Sequence, residues 1–142
     1  MSQSHVLSLN KLSKRFGSVV ANNGVSLKLV EGEVLALLGE NGAGKTTLMN
    51  MLFGHYLPDS GSIDVADELG VMHPLTLGHP QAALDAGIGM VHQHFTLAEN
   101  LTVLESILLG SESLLSWQHN RKLAREKVDR IMVRTALTAP LD

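Results

Sequence analysis

The sequence predicts an α/β fold, on three observations. Residues 34–38 (VLALL) are apolar without alternation, as in a strand covered on both faces within a parallel sheet. Residues 45–55 place Leu48, Met51 and Leu52 on one side at helical spacing. Between them lies a loop holding Gly39, Gly42 and Gly44, so a buried strand passes into a helix through the most permissive residues available.

The other elements follow in chain order. Residues 5–9 (HVLSL) and 25–30 (VSLKLV) alternate apolar and polar positions and predict half-buried strands. The connection KRFGSVVANNG ends in Asn23-Gly24, a hairpin-type dipeptide, which places a turn there. Glu31-Gly32 predicts a second turn, and Gly54 with Pro58 bounds the 45–55 helix. Residues 59–65 (DSGSIDV) predict a turn and a short strand, and 66–80 an irregular surface excursion. A short helix is expected over 81–86, then a strand running into a loop over 87–95. The segment 101–110 predicts a helix, with Thr102 and Glu105 at capping-box spacing and Gly110 as its stop. A loop over 111–120 leads to an amphipathic helix over 121–137, with Ala124, Val128, Ile131 and Thr135 on one side.

Composition narrows the class. Of the 142 residues, 44% are apolar, enough for a core, and the 18% that are charged do not suggest disorder. A net charge of -3 gives no basic field to draw nucleic acid or anionic lipid, so no nucleic-acid partner is expected. Without cysteine there is neither a disulfide framework nor a thiolate metal site. The N-terminus lacks the apolar core of a signal peptide, and no run approaches the ~18 residues of a membrane span. Work at a membrane would then go through a partner.

Gly39-Glu40-Asn41-Gly42-Ala43-Gly44-Lys45-Thr46 matches G-x-x-x-x-G-K-[ST], the phosphate-binding P-loop. Its glycines let the backbone wrap an anion, and successive N–H groups form a nest continued by the start of the helix. Lys45 supplies a mobile cation for β- and γ-phosphates, and the Thr46 hydroxyl is placed for Mg²⁺. His92 and His94 flank Gln93 in an H-x-H arrangement, which could bring two imidazoles to one side of a strand. No Cys, Asp or Glu lies close by to complete a metal set, so packing and hydrogen bonding are the expected roles.

Around this loop, three stretches resemble the ATP-binding subunits of ABC transporters: LSKRFGSVVANNGVSLKLVEGEV, PDSGSIDV and GIGMVHQHFTLAENLTVLESILLG. The likeness covers essentially the whole chain, and MVHQHF with LTVLE is most similar to bacterial importers of nucleosides and simple sugars. It implies a P-loop NTPase (RecA-like) core with an antiparallel β subdomain from 5–9, 25–30 and 62–65, and the start of a helical subdomain. Residues 1–96 would be the ATP-binding core and 97–142 the incomplete helical part. ATP and Mg²⁺ are the implied cofactors. Gly39 through Thr47 would hold the phosphates, with Lys45 catalytic and Thr46 on the metal. Phe16 would stack on adenine, and Gln93 would reach the metal or the attacking water. The implied partners are a transmembrane permease subunit, a second ATP-binding domain (in a homodimer or in tandem) and, indirectly, a solute-binding protein. The implied location is peripheral, at the cytoplasmic face of the bacterial inner membrane.

Hydrolysis in this family also requires an LSGGQ-type signature, a strand ending in Asp-Glu and a downstream histidine. No apolar run ends in Asp-Glu here and nothing resembles LSGGQ, so the chain is expected to be the front part of a larger domain. Such a piece should leave apolar surface exposed, be marginally stable and tend to associate. It would bind ATP without hydrolysing it. A GTPase or small-molecule kinase is the competing P-loop class. Asp67-Glu68-Leu69-Gly70 matches D-x-x-G, but no N-K-x-D follows.

Overall fold

A computed structural model describes residues 4–92, 101–109 and 121–136. Two compact units result, Met1–Val91 and His92–Asp142.

The first unit is organised by strands β1 (His5–Phe16), β2 (Val19–Val30), β3 (Ser60–Ala66) and β4 (Met72–Pro74). They form one antiparallel sheet in the order β2-β1-β3-β4. The strands expected at 5–9, 25–30 and 62–65 are therefore present, and the first two run longer than alternation alone suggests. Phe16 pairs with Val19, so the β1–β2 turn is Gly17-Ser18, not Asn23-Gly24. Asn23-Gly24 instead sits inside β2, in one of the irregularities of the β1–β2 register. Its positive-φ glycine is absorbed by a bulge, which also permits such a residue. The 66–80 excursion contains the short strand β4, bound only to the end of β3.

Helix α1 (Lys45–Phe53) packs on this sheet and closes at Gly54 in the left-handed region. Leu9 and Leu12 from β1, Ile63 from β3, and Leu48 and Met51 from α1 form the buried cluster. The apolar face read from the sequence is thus the face that packs, with Leu52 against its edge. Met51 has no exposed surface, so Met51→Ala should remove about 2–5 kcal/mol of stability, read by urea unfolding. Helix α2 (Pro80–Asp85) follows, with Pro80 in its first turn and Ala83 buried.

Residues 34–38 do not form the expected buried strand. Val34 is 96% and Leu38 89% exposed, and the segment enters no sheet. An apolar run becomes a strand only where a neighbour shares its hydrogen bonds, and 34–38 pairs with neither edge strand of the sheet, β2 or β4. The strand expected from residue 87 is likewise absent over 87–92, and 93–95 lie outside the described residues.

In the second unit, helix α3 (Val103–Leu109) begins with the expected capping box. The Glu105 amide donates to Thr102 Oγ1 at 3.2 Å and the Thr102 amide to Glu105 Oε2 at 3.0 Å. Helix α4 (Arg121–Thr135) follows, and Leu104 packs with Val128 and Met132. The buried stripe therefore runs through Val128 and Met132, four residues apart, while Ile131 and Thr135 are exposed. Gly110 and the loop expected over 111–120 lie outside the described residues, as does the Ala124 side chain.

Candidate functional site

The glycine loop lies between the unpaired segment and α1, and its geometry follows from its residues. Gly42 and Gly44 hold φ of 85° and 84°, the left-handed region that side chains resist. Gly44 is also the N-cap of α1, and no side chain caps the helix there. The first turn carries no acidic residue, so nothing anionic competes for its free N–H groups.

Lys45 opens the helix and turns back across the loop. Its Nζ donates to the carbonyls of Gly39 at 2.6 Å and Glu40 at 2.8 Å. The Ala43 amide donates to the Glu40 carbonyl at 3.2 Å. A Cβ built on Gly39 would stand 3.3 Å from Ala43 Cβ. Glu40 and Asn41 are exposed on the rim, and Thr46 presents its side chain in the first helical turn beside the half-buried Thr47. A cation, an uncapped helix start and two left-handed glycines thus meet in one loop. These donors are of the kind that fits a chain of phosphates, and Thr46 adds one exposed hydroxyl at the helix start. Among the described residues, no group of three His, Cys, Asp or Glu could hold a metal by itself.

One close approach was not anticipated from the sequence. A Cβ on Gly44 would lie 2.2 Å from the Ala21 carbonyl oxygen and 2.9 Å from Asn22 Nδ2. Strand β2 is therefore pressed against the loop, and Asn22 Nδ2 donates to the Gly44 carbonyl at 3.3 Å. Asn22 carried no signal in the sequence, because it reads as one more polar residue of a turn.

Phe16 closes β1 and is 45% exposed. Tyr56 meets it edge to face, centroids 5.4 Å apart, and Lys14 Nζ stands 5.5 Å from its centroid. Lys14 is tied to Asp59 Oδ1 at 3.0 Å and to the Leu57 carbonyl at 2.7 Å. The Lys14 hydrogen bond, then the Arg15 amide, hold the Asp59 carboxyl below the usual carboxylate range. The ring is thus supported at the hairpin end and still open to a flat ligand.

Gln93 and His94 lie outside the described residues, and His92 is exposed. Asp67-Glu68-Leu69-Gly70 forms the β3–β4 turn. Asp67 Oδ1 accepts from the Leu69 and Val71 amides, both at 2.9 Å, and Oδ2 contacts His73 at 2.9 Å. The Val71 amide and His73 hold that carboxyl below its ordinary range. A hairpin-closing role accounts for these residues. The cavity of about 420 Å³ beside them is lined by Asp67, His73 and Asp85 but by no residue of the glycine loop.

Comparison with known proteins matches residues 22–140 to the family described as ABC transporter. The guanosine import ATP-binding protein NupO of Bacillus subtilis (strain 168) is 44% identical over 133 residues, covering 94% of this chain and 25% of that protein. The nucleoside import ATP-binding protein NupA of Lactococcus lactis subsp. cremoris (strain MG1363) is 42% identical over 142 residues, covering 100% of this chain and 27% of that one. The chain thus spans about a quarter of the length of these curated relatives. A solved nucleotide-free ATP-binding cassette from an ABC transporter superposes with a TM-score of 0.70 at 28% identity, over 90% of this chain and 53% of that one.

Proposed function

The chain belongs to the ABC transporter family, and on that premise we propose that it binds the phosphates of ATP, as the front of an import ATPase's nucleotide-binding domain. The observation that carries this reading is Lys45 lying across a loop of left-handed glycines at the uncapped start of α1. In this role the backbone N–H groups of Gly42 to Thr47 receive the β-phosphate, and Lys45 neutralises the β- and γ-oxygens. Mg²⁺, if bound, would supply positive charge to offset that of the phosphates. Thr46 is the residue here that would hold it, with Gln93 proposed as a second ligand on the sequence resemblance alone. Phe16 is the base platform.

The relatives named for guanosine, nucleoside and ribose import motivate a nucleoside or simple sugar as the solute. Its partners would be a permease in the membrane, a second ATP-binding domain facing this one and, indirectly, a solute-binding protein. The chain would sit peripherally on the cytoplasmic side. Among the described residues, no helix is long and apolar enough to cross a membrane. A second reading applies to the 142 residues by themselves: they hold nucleotide without cleaving it. The sequence contains no LSGGQ-type stretch, and Asp67, in its one Asp-Glu pair, is engaged in a turn.

Calorimetric titration of the chain with Mg·ATP and with Mg·tripolyphosphate, beside a phosphate-release assay, tests both readings. Saturable binding of both ligands without phosphate release is the expected outcome. No binding of either would refute the phosphate-loop reading, and phosphate release would refute the second. Phe16→Ala should weaken ATP by about 1–3 kcal/mol while leaving tripolyphosphate unchanged, because stacking acts only on the base.

A further inference from the structure

The side chain of Asn22 is buried, with 6% of the residue exposed, yet its Oδ1 has no hydrogen-bond partner. A buried acceptor without a donor costs stability, and an isosteric leucine would not carry that cost. Packing therefore does not account for an amide at this position. The orientation is set by the network, since only the nitrogen can donate to the Gly44 carbonyl.

What the amide touches is more telling. The Gly44 carbonyl is also the acceptor for the Leu48 amide at 2.9 Å, the first backbone bond of α1. Asn22 and Leu48 thus fix that carbonyl from two elements. A trans peptide is planar, with its C=O and N–H pointing opposite ways. Fixing the Gly44 oxygen toward β2 therefore aims the Lys45 N–H away from β2. The register irregularities before and after Lys14, whose partner on β2 is Asn22, let an otherwise ordinary strand residue press against the loop.

We infer that Asn22 is a positioning residue: it sets the last peptide of the glycine loop for phosphate, and it joins that loop to the hairpin that carries Phe16. The inference rests on the phosphate-loop reading given above and adds the residue that holds the loop in shape from outside its motif.

The test uses Asn22→Leu and Asn22→Asp in the same 142-residue chain. Both keep the side chain's size and both remove the donor. Affinity for Mg·tripolyphosphate and Mg·ATP is measured by calorimetry, melting temperature by circular dichroism, and exchange of the Lys45 amide by NMR. Each variant should bind both ligands about tenfold more weakly, the worth of one hydrogen bond. Asn22→Leu should melt no lower than the parent, because it also removes the orphaned oxygen. Its Lys45 amide should exchange faster. Binding of tripolyphosphate by Asn22→Leu within twofold of the parent overturns the inference, and so does a fall in affinity that merely follows a fall in melting temperature in both variants. A parent chain that binds no tripolyphosphate defeats the phosphate-loop reading itself and this inference with it.

Discussion

Lys45→Ala is expected to weaken Mg·ATP binding by about a hundredfold or more. The ammonium lies across the loop, reaching the Gly39 and Glu40 carbonyls from the first residue of α1. Charge-assisted hydrogen bonds contribute about 1.5–3 kcal/mol each, and 2.7 kcal/mol is roughly a hundredfold. The fold should be spared. Lys45 is only half-buried, and loss of a side chain of this kind shifts stability by about 0.5 kcal/mol or less. Calorimetry with Mg·ATP and with Mg·tripolyphosphate should record equal losses, since the lysine acts on the phosphates. Undiminished affinity in the variant would mean that the glycine loop holds no phosphate.

Gly44→Ala should damage both folding and binding. At φ 84° an alanine pays about 1–2 kcal/mol in backbone conformation alone. Its methyl would also stand 2.2 Å from the Ala21 carbonyl, a backbone atom that cannot swing aside. Strand β2 and the start of α1 must then separate, so a total loss of about 3 kcal/mol or more is expected from urea unfolding. Gly42→Ala is the control. Its φ is 85°, but the space around it is open, so it should cost only the conformational part. Equal losses in the two variants would show that contact with β2 is not what requires glycine at position 44.

What the sequence made legible was local. The helix after the loop was readable because Leu48 and Met51 share a face by spacing alone. The Thr102–Glu105 capping box needs only residues three apart. Residues 34–38 misled for the opposite reason: a strand is a relation between segments, and apolar character says nothing about whether a neighbour is present. The β1–β2 turn was misplaced because Gly17-Ser18 and Asn23-Gly24 both carry turn chemistry, and only pairing over the whole hairpin chooses between them. Asn22 was illegible altogether. No short-range pattern marks a residue whose role depends on a bulge and on a carbonyl 22 positions further along the chain.

The unpaired segment at 34–38 divides the molecule in a way its sheet does not. It is the only covalent link between the β1–β2 hairpin, with Phe16 and Asn22, and the piece holding the glycine loop, α1 and β3. Those two pieces are also joined without it, by the β1–β3 ladder and by the shared burial of Leu9 and Leu12 with Leu48, Met51 and Ile63. A break among these exposed residues would cut the polypeptide and leave the core assembled. The base half and the phosphate half of the proposed nucleotide site then behave as complementing fragments, and a nucleotide gripped by both would staple them together.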